Sequence, residues 1–399
     1  MPYFNYSLHA PPAAGASFWE RRTFVHAWWA IAREDERWTP PRYGALRREL
    51  DPRRNDHLAR LEAALLRVEA LYRTGVRRAR TDQQEIPLTS VLERPLAAAV
   101  ALFDPRRGDD TAYLSHLKLA YDNEAFDRLY GHLVEALSDV GVHRLVGPVG
   151  LSPHLGRGVL VDSWDAWPPQ HTPTNPPYLP ELLERRGRVA QVGRLYRIAL
   201  GEDAAGRRDA AATGAVVQPF DVARLTGELL PLLAAAVDDG CGFPPPDVAE
   251  AAYLLRAAGA GAFGGLIAVD GAPVGFVLLA PDAAGRLRAA RGGRPLWGRA
   301  ALALAGRQPM AAGRLLFGGV LPAWREQGIG SALWAWTLDA ARARGWRALS
   351  VGPLWSPRRS SYVPAPDPEP AAAAFLIARG AVAGQTVAGQ MYRLYEWLF

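Results

Sequence analysis

Between residues 112 and 148 the hydrophobic pattern reads strand, helix, strand. "AYLSHLKLAY" alternates with the period of two that one buried strand face produces. "NEAFDRLYGHLVEALSDVG" spaces its apolar residues three and four apart, and "HRLVGP" is a short apolar run. The succession recurs further on: "RLLFGGVLP" is a strand, the stretch from Ile329 to Gly345 a helix, and "RALSVGP" the next strand. Each set is followed by a Pro-rich loop, a short helix ending in Arg-Gly ("ELLERRG", "AFLIARG") and a closing strand ("GRLYRIAL", "GQMYRLYEWL"). Tyr196-Arg197 and Tyr392-Arg393 hold the same place in the two closing strands. One shared dipeptide is chance, but the ordered series implies an internal duplication of an α/β unit.

The front of the second unit is also legible. "AVVQPF" is a strand and "ARLTGELLPLLAAAV" an amphipathic helix. "LIAVDGAPVGFVLL" is a hairpin turning at Asp270-Gly271, a dipeptide that accepts positive φ. The small, charged stretch 201–214 reads as a linker between a unit at 1–200 and a unit at 215–399. An insertion at 281–313, part helical and rich in arginine (Arg286, Arg288, Arg291, Arg294), interrupts the second unit. Trp28, Trp29 and Trp38 are expected in a core or an inter-unit contact.

The helix that begins at Ile329 has an unusual start. Ile329, Leu333, Trp336 and Ala340 share one face, Arg342 and Arg344 complement the dipole in the last turn, and Gly345 stops it. At its mouth stand two poor helix formers, Gly328 and Gly330, behind Arg325. A helix start carries unpaired N–H groups and partial positive charge, and glycine lets a diphosphate reach those amides. Alone, Gly-x-Gly is only a turn between strand and helix. A dinucleotide fingerprint needs a third glycine and a Walker loop needs Lys-Ser/Thr, and neither is present.

Composition narrows the ligand more than the fold. The chain is 49% hydrophobic, enough for sizeable cores. Lys+Arg 46 against Asp+Glu 40 gives +6, nearly all from arginine because Lys118 is the sole lysine. That excess suits a phosphorylated anion and weakly permits nucleic acid. Cys241 is the only cysteine, which excludes an intrachain disulfide and a cysteine metal cluster. "MPYFNYSLHAPPAAG" is not a secretory signal, and no apolar run reaches the roughly 18 to 20 residues that span a bilayer. A cytoplasmic protein without membrane contact is expected.

Arg/Gln-x-x-Gly-x-Gly/Ala after a "V-x-P" strand, here "VLPAWREQGIG", resembles motif A of the GNAT superfamily of acyl-CoA N-acyltransferases. The order of elements over 215–399 resembles that fold as well. "WTPPRYGALRRELDPRRN", "GPVGLSPHLGRGVLVDSWDAWPP", "TNPPYLPELLERRG" and "GQMYRLYE" look like a bacterial group of tandem-domain GNAT-like proteins. The resemblance implies an α/β chain with a mixed α+β sheet: two tandem GNAT-like domains, each a twisted, mostly antiparallel sheet flanked by helices. The first half departs at the decisive place. Where the glycines belong it has "YDNEAFDRLY", whose Asp122, Glu124 and Asp127 would satisfy the dipole and repel a diphosphate. It is expected to have lost the coenzyme site and to shape an acceptor pocket or serve structure alone.

By the same resemblance the co-substrate is acetyl-CoA or another acyl-CoA, no metal is needed, and the acceptor is a primary amine of a small molecule or peptide. Nucleic acid is not an expected partner. The backbone of Gln327, Gly328, Ile329, Gly330 and Ser331, with Arg325, would hold the pyrophosphate. Gly319, Val320 and Leu321 would pair with the pantetheine arm, one N–H polarising the thioester carbonyl. The amine attacks directly once a base has taken its proton. "RLLFGGVLP" carries no carboxylate, so the base is unassigned; Asp162 and Asp165 are candidates that equally fit turn or surface roles. Tyr362 is the candidate acid for the departing thiolate, against a plain loop tyrosine. His154 and His171 could face the acceptor, and Cys241 could carry an acyl group, though each also fits an ordinary loop. Two other classes stay open: a non-catalytic acyl-CoA-binding regulator and an aminoacyl-tRNA-dependent transferase.

Overall fold

The computed structural model describes residues 5–81, 84–106, 108–201, 216–220, 222, 226–237, 243–259, 261–306, 308–356, 386–387 and 389–399. Tyr362, Cys241 and all but the first residue of the linker lie outside them. In the first half the strands are β1 (Asn5–His9), β2 (Glu62–Thr81), β3 (Gln84–Phe103), β4 (Thr111–Leu119), β5 (Arg144–Val149), β6 (Val159–Leu160) and β7 (Arg188–Ala199). Its helices are α1 (Phe18–Ala32), α2 (Ala45–Glu49), α3 (Asn123–Ser138) and α4 (Leu179–Glu184). The second half has β8 (Val217–Phe220), β9 (Phe263–Val269), β10 (Ala272–Pro281), β11 (Ala312–Val320), β12 (Ala348–Trp355), β13 (Thr386–Val387) and β14 (Met391–Leu398). Its helices are α5 (Thr226–Val237), α6 (Val248–Ala258), α7 (Ala284–Ala289), α8 (Leu296–Ala305) and α9 (Ile329–Ala343).

All fourteen strands among the described residues join one sheet in the order β1-β2-β3-β4-β5-β14-β7-β12-β11-β10-β9-β8, with β6 beside β14 and β13 beside β7. The two halves exchange their closing strands. β14, the last strand of the chain, inserts between β5 and β7, while β7 pairs antiparallel with β12 of the second half. A division into 1–200 and 215–399 therefore cuts across the sheet's hydrogen bonding. The near-continuous apolar run of "MYRLYEWL" fits a strand buried on both faces, but a strand's own pattern does not name its neighbours. Tyr392, Leu394, Tyr395 and Trp397 are fully buried, and Tyr395 and Trp397 belong to the core formed with α3 and α4.

The helices pack as their spacing requires. α3 buries Ala125, Phe126, Leu129, Leu133 and Leu137. α9 lays Ile329 and Leu333 on one face of the second-half sheet, while α5 and α6 cover Phe276, Leu278 and Phe317 on the other. Trp28, Trp29 and Trp38 are buried under α1, Trp29 and Trp38 edge to face at 4.8 Å. The insertion, helical in α7 and α8, is seated on the first half. Tyr43 N–H donates to Gly292 O at 2.7 Å and Arg288 to Thr39 Oγ1 at 2.7 Å. A side chain at Gly292 would run into the carbonyl of Pro41 and the ring of Trp29.

Candidate active site

The parallel pair β11/β12 opens into a wedge. Its pairing runs from Ala312/Ala348 to Leu315/Val351 and stops there. Beyond that point β11 pairs with β10 alone, and Leu354 and Trp355 pair with β7. A bulge marks the parting, because Leu278 faces Phe317 and Leu279 faces Leu315, leaving Leu316 as the extra residue. A bulge bends its strand and re-aims the residues beyond it. Leu321 N–H donates back to Val274 O at 2.9 Å. Antiparallel residues alternate between facing the partner and facing away, so Gly319 shares the β10 side, and Val320 and Gly318 turn their N–H groups to the wedge. The N–H of Leu321, expected from the sequence to face a ligand, is thus committed to β10.

The mouth of the wedge is the start of α9. Gly328 takes φ 81° and Glu326 φ 64°, a left-handed turn that only glycine adopts without strain. No side chain caps the helix; its first internal bond runs from Ala332 N–H to Gly328 O at 3.0 Å. The amides of Ile329 and Gly330 consequently have no acceptor within the helix. The two glycines differ in kind. Gly328 is required by its φ, whereas a Cβ at Gly330 would meet nothing within 4 Å. Neither packing nor backbone conformation explains glycine at 330. Arg325 Nε donates to Val320 O at 3.1 Å and Gln327 Nε2 to Ala323 O at 3.0 Å, so both side chains brace the turn.

The corresponding place in the first half pairs one step further. β4 and β5 pair from Thr111/Arg144 to Tyr113/Val146, shift register past Gly147, which is tight against Leu114, and meet again at Ser115/Val149. Asp122 caps α3, accepting from Ala125 N–H at 2.8 Å and from Tyr6 OH at 3.3 Å. Glu124 pairs with Arg128 at 2.8 Å and Asp127 with Arg186 at 3.2 Å. The sequence-level contrast between the two helix starts thus coincides with a contrast in the strands behind them.

First-half loops reach the wedge. Arg157, flanked by Gly156 and Gly158 at φ 74° and 83°, is 6% exposed and lies between Trp355 of β12 (4.7 Å) and Phe243 (5.1 Å). Arg314 on β11 donates to Gly352 O at 2.7 Å and Thr172 Oγ1 at 2.6 Å. Burial, together with the Arg314 charge, pushes His171 down to about 4, so its imidazole is neutral; its Nε2 is buried without a partner among the described residues. Glu49 interacts electrostatically with His171, accepts from Tyr253 OH at 2.5 Å and stands 3.5 Å from His116 Nε2. Burial works to raise the Glu49 carboxyl, but the His116 and Tyr253 bonds hold it below the usual range. His116 Nδ1 is 2.7 Å from Ser115 Oγ, which imitates a nucleophile relay. Ser115 is fully buried and donates to Gly150 O at 2.7 Å, so it holds a loop and cannot attack.

The other sequence candidates lie in supporting roles. Asp162 accepts from Met391 N–H at 2.6 Å and fixes β14, and Asp165 is exposed. His154 Nε2 meets Pro244 O at 3.0 Å. Arg286 binds carbonyls at the end of α8, including Pro309 O at 2.8 Å. The described residues contain no cluster of three metal ligands. Nor does any described helix have the length and apolarity to cross a membrane. Sequence reasoning missed Arg157 and the Glu49–His116–Tyr253 group, whose members are scattered along the chain. The Gly-Arg-Gly of 156–158 was the only local signal.

No family model and no curated protein matches the sequence. Solved structures do match the fold. A tandem GNAT protein from the clavulanic acid biosynthesis pathway, solved without acetyl-CoA, aligns over 98% of this chain and 98% of its own at TM-score 0.52 and 12% identity. The chain carries the tandem GNAT fold. A glucosamine N-acetyltransferase region of a fungal multi-domain GH3 β-N-acetylglucosaminidase aligns over 98% of this chain and 38% of that one, at TM-score 0.50 and 11% identity. At such identities the likeness concerns the fold, including the mixed sheet flanked by helices. Within the tandem GNAT fold, the wedge and the open helix start occur together in the second half.

Proposed function

We propose that the protein is an acyl-CoA-dependent N-acyltransferase, using acetyl-CoA or a related thioester and a primary amine acceptor. The observation that carries the reading is Gly330, a glycine the fold does not require, at an uncapped helix start beside parted strands. Amides of Gln327 to Ser331 would hold the pyrophosphate, aided by the helix dipole. The pantetheine arm would enter the wedge and pair with Gly318 and Val320, since Gly319, like Leu321, is turned to β10. A Val320 or Gly318 N–H would then polarise the thioester carbonyl, a preorganised contact that strengthens as charge develops.

The amine attacks that carbonyl, the C–N bond forms as the C–S bond breaks, and the thiolate departs. β11 has no carboxylate, so the proton goes to groups lent by the first half. Neutral His171 interacts with Arg314, which donates to Gly352 O on β12, and Glu49 interacts with His171 in turn. Arg157 would set a fixed positive charge beside the acceptor. Tyr362 remains the proposed acid for the thiolate. Free-thiol release measured with acetyl-CoA across a panel of amines tests the reading. Amine-dependent release supports it; coenzyme A binding with no release for any amine would replace it with a regulatory role.

A further inference from the structure

A second site stands at the seam between α2 and the insertion. Here a cavity of about 530 Å³ is walled by Arg42, Arg47, Arg48, Arg54 and Arg299, with no carboxylate in its lining. The side chains of Arg42 and Arg48 have neither a hydrogen bond nor an ion pair among the described residues. Arg54 is 3.7 Å from Asp51, which also serves Arg21 at 3.8 Å. The other two heads stack, Arg47 over Phe18 and Arg299 over Tyr43, each at 5.2 Å, and Arg299 Nε also donates to Gly293 O at 3.2 Å. Stacking positions a guanidinium without neutralising it.

The floor of the cavity is built. Gly292 and Gly293 form it as bare backbone at φ 64° and 77°. Beneath them Trp29 lies edge-on to Tyr43 at 6.2 Å. Five like charges around one concavity repel each other, and an anion relieves that repulsion. Planar guanidinium forks match phosphate oxygens two at a time, which an array of ammonium groups would not. The volume lies within the range of small-molecule sites. We propose that this cavity binds a small molecule carrying a pyrophosphate or two adjacent phosphate groups, at a site separate from the α9 loop.

The test uses the full chain carrying Gly330→Leu, so that the α9 loop is blocked, titrated calorimetrically with inorganic pyrophosphate. One site per chain is expected, weakening steeply between low salt and 0.15 M salt as a screened multi-arginine contact should. In the parent background the double variant Arg42→Ser/Arg48→Ser should keep its melting temperature and its coenzyme A binding at the α9 loop, and on Gly330→Leu it should lose at least tenfold in pyrophosphate affinity. Arg256→Ser, an exposed arginine on α6, should change nothing. The proposal is overturned if the Gly330→Leu protein takes up no pyrophosphate, or if adding the double variant leaves that affinity unchanged. Displacement of bound pyrophosphate by short single-stranded DNA but not by ADP would also overturn it, in favour of a nucleic-acid surface.

Discussion

Arg144 donates from Nε to Glu396 at 2.9 Å, tying β5 of the first half to the last strand of the chain. Arg188 on β7 donates to the other oxygen of the same carboxylate, also at 2.9 Å, and Glu396 is 1% exposed. The exchanged strand is thus clamped on both sides. Removing one partner of a buried pair strands the other charge, a loss of about 3 kcal/mol. Glu396→Ala should lower the urea midpoint accordingly. Because each half holds the other's closing strand, parent and variant should unfold in one transition by both near- and far-UV circular dichroism. Two separated transitions would contradict the exchange.

Gly330 gives the cleaner test of the coenzyme loop, because Gly328 at φ 81° would add backbone strain of about 1–2 kcal/mol to any substitution. Gly330→Ala should bind coenzyme A nearly as the parent does and gain up to about 1 kcal/mol of helix stability. Gly330→Leu should melt normally, since a Cβ there meets nothing. Its longer side chain would displace a pyrophosphate from two charge-assisted bonds, each worth about 1.5–3 kcal/mol. Affinity should then fall by roughly two to four powers of ten. Calorimetry that finds Gly330→Leu binding coenzyme A like the parent would remove the main support for an acyltransferase.

The features legible in the sequence were those that a short window encodes. The period of α9, the Asp270-Gly271 turn, the Asp122 cap and the repeated strand–helix–strand all have local causes, and they recur in the folded chain. The exchange of β7 and β14 left no such mark, because both strands bury two faces and either neighbour would satisfy them. Gly330 was legible as an oddity; that it differs from Gly328 required the backbone angles. The Glu49–His116–Tyr253 group was out of reach, since Glu49 and Tyr253 are brought together across 204 positions.

With the arginine cavity removed by Arg42→Ser/Arg48→Ser, one coenzyme site per chain is expected, because the first-half helix start is occupied by its own Asp122. Asp122→Ala removes the cap at a cost of about 1 kcal/mol. It should leave calorimetric stoichiometry at one, since β4 and β5 still meet at Ser115/Val149 behind it. A second site appearing in the variant would mean that the carboxylate, and not the paired strands, kept the first half empty.

If the first half lends the base, Glu49→Gln should slow turnover without changing the affinity for coenzyme A. The variant keeps an acceptor for Tyr253 OH, so its melting temperature should move little. The informative reading is the pH profile of kcat/KM, whose acid limb should shift or vanish when the ionised Glu49 is lost. An unchanged profile with reduced kcat would reassign Glu49 to positioning His116 and Tyr253.

Glu250 makes stability depend on pH in the direction opposite to most carboxylates. It is 3% exposed at the first turn of α6, bonded by Ser152 Oγ at 2.7 Å, and burial, with Asp247 nearby, raises it to about 7 from 4.5. Between those two values the folded chain holds a proton that the unfolded chain has released. Stability from this group is therefore complete below pH 4.5 and is lost as the pH rises through 7. The difference amounts to at most about 3 kcal/mol at 1.36 kcal/mol per unit. Glu250→Gln keeps the shape and the acceptor for Ser152 but has no proton to lose. Its urea midpoint should match the parent at pH 4.5 and exceed it at pH 8. Equal midpoints at pH 8 would show that the carboxyl is ionised in the fold at neutral pH, with His57, whose Nε2 is 4.0 Å away, as the partner that permits it.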